Sequence, residues 1–261
     1  MYGFDYHRPA ALSDVVDLLT GDEDAKLLAG GQTLIPTLKQ RLAMPTALVD
    51  LSAVPGLRDI VAEGDGVRIG AMATHATVAG SALVRGVLPG LADLASHIGD
   101  AQVRNRGTIG GSIANADPAA DYPAALVALD AVIRTDRRDI PGGDFFTGLF
   151  ETALAPGEVV TSVFFPAATH ARYAKFPNPA SRYAMAGVFV ARRGDDVRVA
   201  VTGAGPSVFR WDAAEAALSV RFSADALDGI VPDADGLNSD MHADADYRAQ
   251  IVAVLARRAI A

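Results

Sequence analysis

A run of small residues at 107–123 places the tightest constraint on the fold, because it reads G-T-I-G-G-S-I-A-N-A-D-P-A-A-D-Y-P and leads into an apolar helical pattern. Gly110 and Gly111 lack a Cβ, so the backbone can adopt positive φ there and a ligand can approach its N–H groups closely. Successive N–H groups arranged in this way form an anion-binding concavity. We therefore predict a binding loop, followed by a helix that Asp117 caps and that has Pro118 at its first position.

A second glycine pair, Gly30 and Gly31, lies in the run L-L-A-G-G-Q-T-L-I-P, after a short apolar strand and before another helical pattern. An ordinary turn would explain a single Gly-Gly pair in a chain with 25 glycines. Because both runs combine a strand, glycines, a hydroxyl residue and a helix, we favour two loops that hold one long ligand. Asp121 follows the later loop, where we expect an exposed carboxylate that accepts hydrogen bonds from ligand hydroxyls.

The composition excludes several classes of protein. A net charge of −8 and a pI near 5.0 argue against a nucleic-acid partner, which requires a basic surface. The chain has no cysteine, so it holds neither a disulfide framework nor a thiolate-ligated iron–sulfur cluster. The first residues lack a secretory signal and no apolar run is long enough to cross a bilayer, so we expect a cytoplasmic protein with no membrane span.

The apolar pattern divides the chain into three α+β units, for which we predict the boundaries 1–56, 57–168 and 169–261. In the last unit three strands precede the helices, which predicts an antiparallel sheet covered on one face. A helix is expected at 34–42.

The remaining candidate motifs are weak. Gly203-Ala204-Gly205 lacks the third glycine of a dinucleotide fingerprint, and the five histidines show no metal-ligand spacing. His75, in a turn, is the histidine best placed to face a ligand. Arg104 and Arg106 precede the central run; they would suit a diphosphate or a partner subunit, but arginines on a loop are more often simply solvated, and we favour that interpretation. No catalytic residue and no metal ligand is predicted.

The two glycine motifs together resemble the FAD-binding medium subunits of the molybdenum hydroxylases, the family of carbon monoxide dehydrogenase and xanthine dehydrogenase. The resemblance extends from F-D-Y-H-R-P at 4–9 to Y-A-K-F at 173–176 and S-R-Y-A-M-A at 181–186. It implies the three-part α+β fold of the vanillyl-alcohol-oxidase (PCMH) type, with FAD between the first two units and the antiparallel C-terminal unit covering the flavin.

The resemblance also implies which residues bind the cofactor. From the sequence alone we would interpret Lys175 as a surface lysine on a strand and Tyr183 as a half-buried aromatic residue on a strand. The resemblance implies instead that Lys175 contacts the cofactor and that Tyr183 packs against the isoalloxazine ring. Asp121 would bond the hydroxyl-bearing part of FAD, and Val160 would be an apolar neighbour. The remaining implied contacts are Ala29, Gly30, Gly31, Gln32, Thr33, Thr108, Ile109, Gly110, Gly111 and Ser112.

Two of these positions depart mildly from the family pattern. Gln32 replaces a histidine found in some relatives, and Thr33 replaces the more common serine. Both retain a polar group.

The resemblance implies an electron-transfer role within a larger enzyme. Electrons would pass from a large molybdopterin subunit to a small iron–sulfur subunit and from there to FAD. They would leave FAD for quinone, NAD or dioxygen. The molybdenum cofactor and the clusters are expected on those partners, in a dimer of heterotrimers. Two alternatives are a self-sufficient FAD-dependent oxidoreductase of the same superfamily, for which we find no acid–base pair, and a flavin-free scaffold.

Overall fold

The computed structural model describes residues 1–260, whose backbone forms three larger sheets and one small hairpin. The strands are β1 Asp5–His7, β2 Lys26–Leu28, β3 Ala47–Asp50, β4 Ile60–Glu63, β5 Gly66–Gly70, β6 Val132–Thr135, β7 Asp139–Pro141, β8 Phe146–Gly148, β9 Glu151–Thr152, β10 Val160–Phe165, β11 His170–Pro177, β12 Ala184–Arg193, β13 Asp196–Thr202 and β14 Phe209–Arg210. The helices are α1 Leu12–Gly21, α2 Leu34–Lys39, α3 His75–Gly80, α4 Ala82–Val87, α5 Pro89–Ser96, α6 Ala101–Arg106, α7 Ile109–Asn115, α8 Tyr122–Ala128, α9 Gly142–Phe145, α10 Asp212–Val220 and α11 Ala245–Ile260.

The first sheet is parallel, in the order β1-β3-β2. Parallel strands need crossover connections, which α1 and α2 supply. Val15 and Leu19 lie four residues apart on α1, on the face that packs against the sheet. This small core also includes Leu57, Met72 and Val159, which come from later parts of the chain.

The second sheet is antiparallel, in the order β4-β5-β10-β6-β7. Helices α3 to α8 lie between β5 and β6 in the chain, and all of them except α6 contribute buried residues to the core over this sheet. Fully buried side chains of this large core include Tyr122, Phe145 and Phe165. The central glycine run lies among these helices, so this core fixes its position.

The third sheet, β11-β12-β13-β14, is antiparallel as predicted, but the expectation of cover on one face is wrong. Val188 and Val190 on β12 pack against α10 and α11, whereas Phe189 and Ala191 belong to the core of the second sheet. Successive strand residues point to opposite faces, so both faces of the sheet are buried. The continuous apolar run of β12 is the sequence signal for this double burial.

The central glycine region is more helical than predicted. The sequence predicts a solvated loop around Arg104 and Arg106, but the structure has helix α6 there. Asp100 caps this helix by accepting a 2.8 Å hydrogen bond from the Val103 amide. The expected binding loop contains α7. The helix expected at Pro118 begins only at Tyr122, because the Asp117 side chain accepts from the nearby Ala119 amide and closes a turn instead.

Some shorter elements also differ from the sequence interpretation. Helix α2 ends at Lys39 rather than at residue 42. The short elements β1, β7, α9, β8, β9 and β14 were not predicted. No helix in residues 1–260 combines the length and apolarity needed to cross a membrane.

Candidate cofactor-binding site

The two glycine motifs meet in space. A Cβ added at Gly30 would overlap with the carbonyl oxygen of Arg106 and lie 2.9 Å from Cα of Gly107. A Cβ added at Gly111 would lie 3.6 Å from Cβ of Ala29. The turn after β2 is therefore in direct contact with the junction of α6 and α7, and at Gly30 only glycine permits this approach.

The first motif has the open loop that the sequence predicts. Gly31 has φ of +73°, in the left-handed region, and its carbonyl accepts from Ile35 to start α2. The amides of Gln32 and Thr33 donate no hydrogen bond to any residue within 1–260. Such unpaired amides are available to an acceptor from outside the chain.

The second motif is built differently, and the expectation of positive φ and open amides at Gly110 and Gly111 is wrong. Both residues belong to α7, and neither has positive φ. The Gly110 amide donates to the Ala71 carbonyl at 2.9 Å, and the Gly111 amide donates to the Thr108 hydroxyl at 3.1 Å. A Cβ at Gly110 would lie 2.6 Å from Cβ of Ala71, so glycine serves close packing there.

A cavity of about 410 Å³ opens where the motifs meet. This volume lies within the usual range for small-molecule sites. The lining comes from the first sheet and the turns after its strands, from the segments before β4 and α3, and from α6 and the segment before α7. The lining residues are Tyr6, Arg8, Leu28, Ala29, Gly30, Asp50, Ser52, Arg58, Met72, Thr74, Asn105, Arg106 and Thr108. Three arginines make the wall suited to an anionic ligand.

Several of these lining residues were missed by the sequence interpretation. Arg8, Leu28 and Asp50 lie at or just after the carboxyl ends of the three parallel strands β1, β2 and β3. In open parallel sheets ligands bind outside the carboxyl ends of the strands. Recognising the first unit as a parallel sheet would have identified this edge as the ligand-binding side.

Asp121 is buried, which corrects the expected exposed carboxylate: only 4% of its surface is accessible. Its oxygens accept hydrogen bonds from the Tyr173 hydroxyl at 2.6 Å and from Lys175 Nζ at 3.0 Å. Lys175 also donates to the His97 carbonyl at 3.2 Å, and its side chain is 5% exposed, so it is not a surface lysine. Burial raises the pKa of Asp121, while Lys175 and the Tyr173 hydroxyl oppose this rise.

Tyr183 lies just before β12, with 47% of its surface exposed. Burial of part of the ring, together with the carboxylates of Asp117 and Asp121, raises the pKa of its hydroxyl. The segment before α8 is fixed to the third sheet, because the Ala184 amide donates to the Ala119 carbonyl at 3.2 Å. An exposed aromatic ring is thus held beside the buried Asp121 and Lys175.

Other predicted residues lie elsewhere. Val160 and Ile109 are buried in the large core and do not line the cavity. Ser112 is half-buried on α7, after the capped first turn.

His75 does not face the cavity. It is buried, its Nδ1 lies 3.3 Å from the Tyr122 hydroxyl, and burial lowers its pKa to about 4. Arg104 donates to the carbonyls of Ile98 and Gly99, whereas Arg106 lines the cavity. The preference for simple solvation is therefore wrong for Arg104, whereas Arg106 is exposed and lines the cavity.

Comparison with known proteins identifies the family of this chain. Residues 2–168 match the family described as "FAD binding domain in molybdopterin dehydrogenase". The nicotine 6-hydroxylase medium subunit of Paenarthrobacter nicotinovorans is 38% identical, over 98% of this chain and 95% of that protein. The carbon monoxide dehydrogenase medium chain of Hydrogenophaga pseudoflava is 36% identical, over 98% and 96%.

Solved structures give the same result. A chain of the Hydrogenophaga pseudoflava carbon monoxide dehydrogenase superposes with a TM-score of 0.87 at 37% identity, covering 98% of this chain and 96% of that one. A chain of quinoline 2-oxidoreductase from Pseudomonas putida 86 gives 0.89 at 30% identity, covering 99% and 96%. Fold and site define a flavoprotein of the FAD-binding α+β class. Within that class, the chain belongs to the FAD-binding medium subunits of the molybdenum hydroxylases, and FAD is its cofactor.

The residues present fit FAD. The diphosphate of the cofactor is anionic, and Arg58 and Arg106 line the cavity with Ala29 and Gly30. The free amides of Gln32 and Thr33 follow these two lining residues in the same turn. At Gly30 a Cβ would prevent the two motifs from closing on each other.

Proposed function

We propose that this chain is the electron-transfer subunit of a molybdenum hydroxylase, in which FAD passes electrons from an iron–sulfur partner to an external acceptor. The observation that carries the proposal is the meeting of the two glycine motifs at a cavity with three arginines. The absence of cysteine from the sequence supports a separate cluster-bearing chain. Relatives named medium subunit or medium chain match along nearly the whole length of this chain.

The residues would divide the work of binding. The amides of Gln32 and Thr33, with Arg58 and Arg106, would hold the diphosphate. Bound FAD supplies the redox chemistry, since flavins exchange both single electrons and electron pairs. The protein's part is to orient the flavin and to restrict access of water.

Asp121 would bond the hydroxyl-bearing part of FAD, and Lys175 would also contact the cofactor. Tyr183 would pack against the isoalloxazine ring, which its exposure leaves it free to do. Val160 is part of the large core, so it would support the site by packing and would not line it.

The proposal extends to the assembly. A large molybdopterin subunit would hydroxylate the substrate, a small iron–sulfur subunit would relay the electrons, and two such heterotrimers would pair in the cytoplasm. Within this chain, units 1–56 and 57–168 would enclose FAD, and unit 169–261 would cover the flavin. The contact of the third sheet with the segment before α8 supports that last role.

The test is reconstitution. The isolated chain should bind FAD but turn over none of carbon monoxide, nicotine or quinoline, the compounds named in its relatives. Addition of partner chains that carry the clusters and the molybdenum cofactor should give substrate-dependent bleaching of the flavin absorption. Turnover by the isolated chain at about 1 to 1000 per second would establish the self-sufficient oxidoreductase instead, and a colourless chain that binds no FAD would establish the scaffold.

A further inference from the structure

The buried cluster around Asp121 contains one group, the hydroxyl of Tyr173, that has no role in the proposed function. It donates a 2.6 Å hydrogen bond to Oδ1 of Asp121, and Lys175 Nζ lies 2.8 Å from the same oxygen. Tyr173 and Lys175 are two residues apart on β11, so their side chains leave the same face of the strand. Both therefore reach the carboxylate from one side.

The backbone beside Tyr173 leaves room for this hydroxyl. Gly187 lies opposite Lys175 on β12, and a Cβ added there would overlap with the hydroxyl oxygen of Tyr173. The φ of Gly187 lies outside the left-handed region, so the local conformation does not require glycine. Glycine weakens a strand interior, and the space it leaves at position 187 is the space that the hydroxyl occupies.

We propose that Tyr173 is a positioning residue of the cofactor site, whose hydroxyl holds the Asp121 carboxylate in the orientation that pairs with Lys175. The inference rests on the proposed function, in which Asp121 and Lys175 contact FAD. Each oxygen of a carboxylate can accept about two hydrogen bonds. Tyr173 bonds Oδ1, and Lys175 Nζ bridges Oδ1 and Oδ2 at 2.8 and 3.0 Å, so one acceptor position remains on Oδ2 for a ligand hydroxyl.

The electrostatics of the cluster give this role a measurable signature. The titratable and charged groups that face Asp121 are Lys175 and Tyr173 on β11, His97 after α5, Tyr122 at the start of α8 and Tyr183 before β12. The Tyr173 hydrogen bond stabilises the charged carboxylate and lowers its pKa against the effect of burial. Removal of the hydroxyl should raise that pKa further, so Asp121 should become protonated, and lose its attraction for Lys175, at a higher pH.

The experiment measures FAD affinity of the full chain between about pH 8 and about pH 5, by the change in flavin fluorescence on binding. Tyr173→Phe keeps the ring that packs in the core and removes only the hydroxyl. We expect its Kd to rise about tenfold more than that of the wild type as the pH falls, as for the loss of one hydrogen bond to a charged group. Tyr122→Phe is the matched control, because it removes another buried tyrosine hydroxyl, 3.3 Å from His75 Nδ1, without removing a bond to Asp121.

Gly187→Ala provides a second, independent variant, since it displaces the hydroxyl while leaving Tyr173 in the sequence. Gly187→Ala should shift the pH dependence of FAD affinity in the same direction as Tyr173→Phe. If Tyr173→Phe does not fold, the pH profile of Gly187→Ala tests the positioning role of Tyr173. The inference is overturned if the folded variants follow the pH profile of the wild type, or if Tyr122→Phe shifts that profile equally. A wild-type chain that binds no FAD at any pH would instead refute the proposed function.

Discussion

Gly31 and Gly111 each end a Gly-Gly pair, yet only Gly31 has a backbone conformation that favours glycine. The turn around Gly31 leaves amides unpaired, whereas the helix that contains Gly111 uses its first amides within the protein. Gly30 and Gly110, the first residues of the two pairs, share a different property: a side chain at either position would collide with a neighbouring segment. The two motifs are alike in close packing and unlike in conformation.

This difference shows what a Gly-Gly pair in a sequence can and cannot indicate. Glycine is required wherever another backbone approaches closely, and separately wherever φ is positive. The sequence cannot distinguish these demands, because both select the same residue. The first three of the four predictions below separate them by substitution.

The largest effect is expected from Gly30→Ala. Its Cβ would overlap with the Arg106 carbonyl oxygen and lie 2.9 Å from Cα of Gly107. Both are backbone atoms that cannot rotate away, so the two motifs must separate. We expect loss of FAD from the purified chain and a loss of about 3 kcal/mol in the free energy of unfolding, measured with urea.

Gly143→Ala is the control for this substitution. Gly143 is exposed on α9, and a Cβ there would meet no atom within 4 Å. We expect it to be neutral or to stabilise by up to about 1 kcal/mol. One FAD per chain in Gly30→Ala would show that the meeting of the motifs is not the cofactor site.

The second prediction separates the two glycines of α7. Gly110→Ala places a Cβ 2.6 Å from Cβ of Ala71 and 2.8 Å from its carbonyl oxygen, and should destabilise the protein by about 2 kcal/mol. Gly111→Ala has one tight contact, with the Thr108 hydroxyl oxygen at 3.0 Å, and an ordinary contact with Cβ of Ala29 at 3.6 Å. It also gains helix propensity, so its cost should be clearly smaller. Thermal unfolding of both variants tests the order; equal costs would contradict the packing explanation.

A third prediction concerns backbone conformation. Gly31→Ala should cost about 1 to 2 kcal/mol, because an alanine at φ of +73° is strained. Gly31→Asn should recover part of this loss, since asparagine tolerates the left-handed region. At Gly111, which is helical, asparagine should be no better than alanine. A preference for asparagine over alanine at both sites would mean that the two motifs share one conformation after all.

The smallest effect distinguishes the hydroxyl residues of the motifs. The Thr108 hydroxyl accepts from the Gly111 amide and caps α7, so Thr108→Val should cost about 1 kcal/mol. Thr33 makes no such side-chain bond, and Thr33→Val should leave the unfolding free energy nearly unchanged. If both substitutions cost the same, the capping role assigned to Thr108 is wrong.

Much of the fold followed from local pattern. The opening helices, the hairpin of β4 and β5, and the strands and helices of the third unit have strong periodicity, and the structure confirms their type. The α+β class and the family were also correct. Boundaries were less accurate where one side chain decides them: Asp100 starts a helix by accepting from Val103, whereas Asp117 closes a turn.

The site was harder to predict, because its residues meet only through the tertiary fold. Asp121 was expected on the surface from its position after a loop, but Lys175, 54 residues later, lies on a strand that covers it. Likewise the cavity needs Arg8 and Asp50 at the ends of paired strands and Arg106 from a distant helix. The local sequence around each residue does not indicate which distant residues it will contact.

The small core of the first sheet sets a limit on when this chain can finish folding during its synthesis. Val15 packs in the same cluster as Val159, which lies about 140 residues later. At roughly 5 to 20 residues per second, a ribosome needs about 7 to 30 s to make the intervening stretch. During that interval the apolar face of α1 lacks part of its cover and is available to chaperones. The first unit to leave the ribosome therefore cannot complete its core until residue 159 has been made.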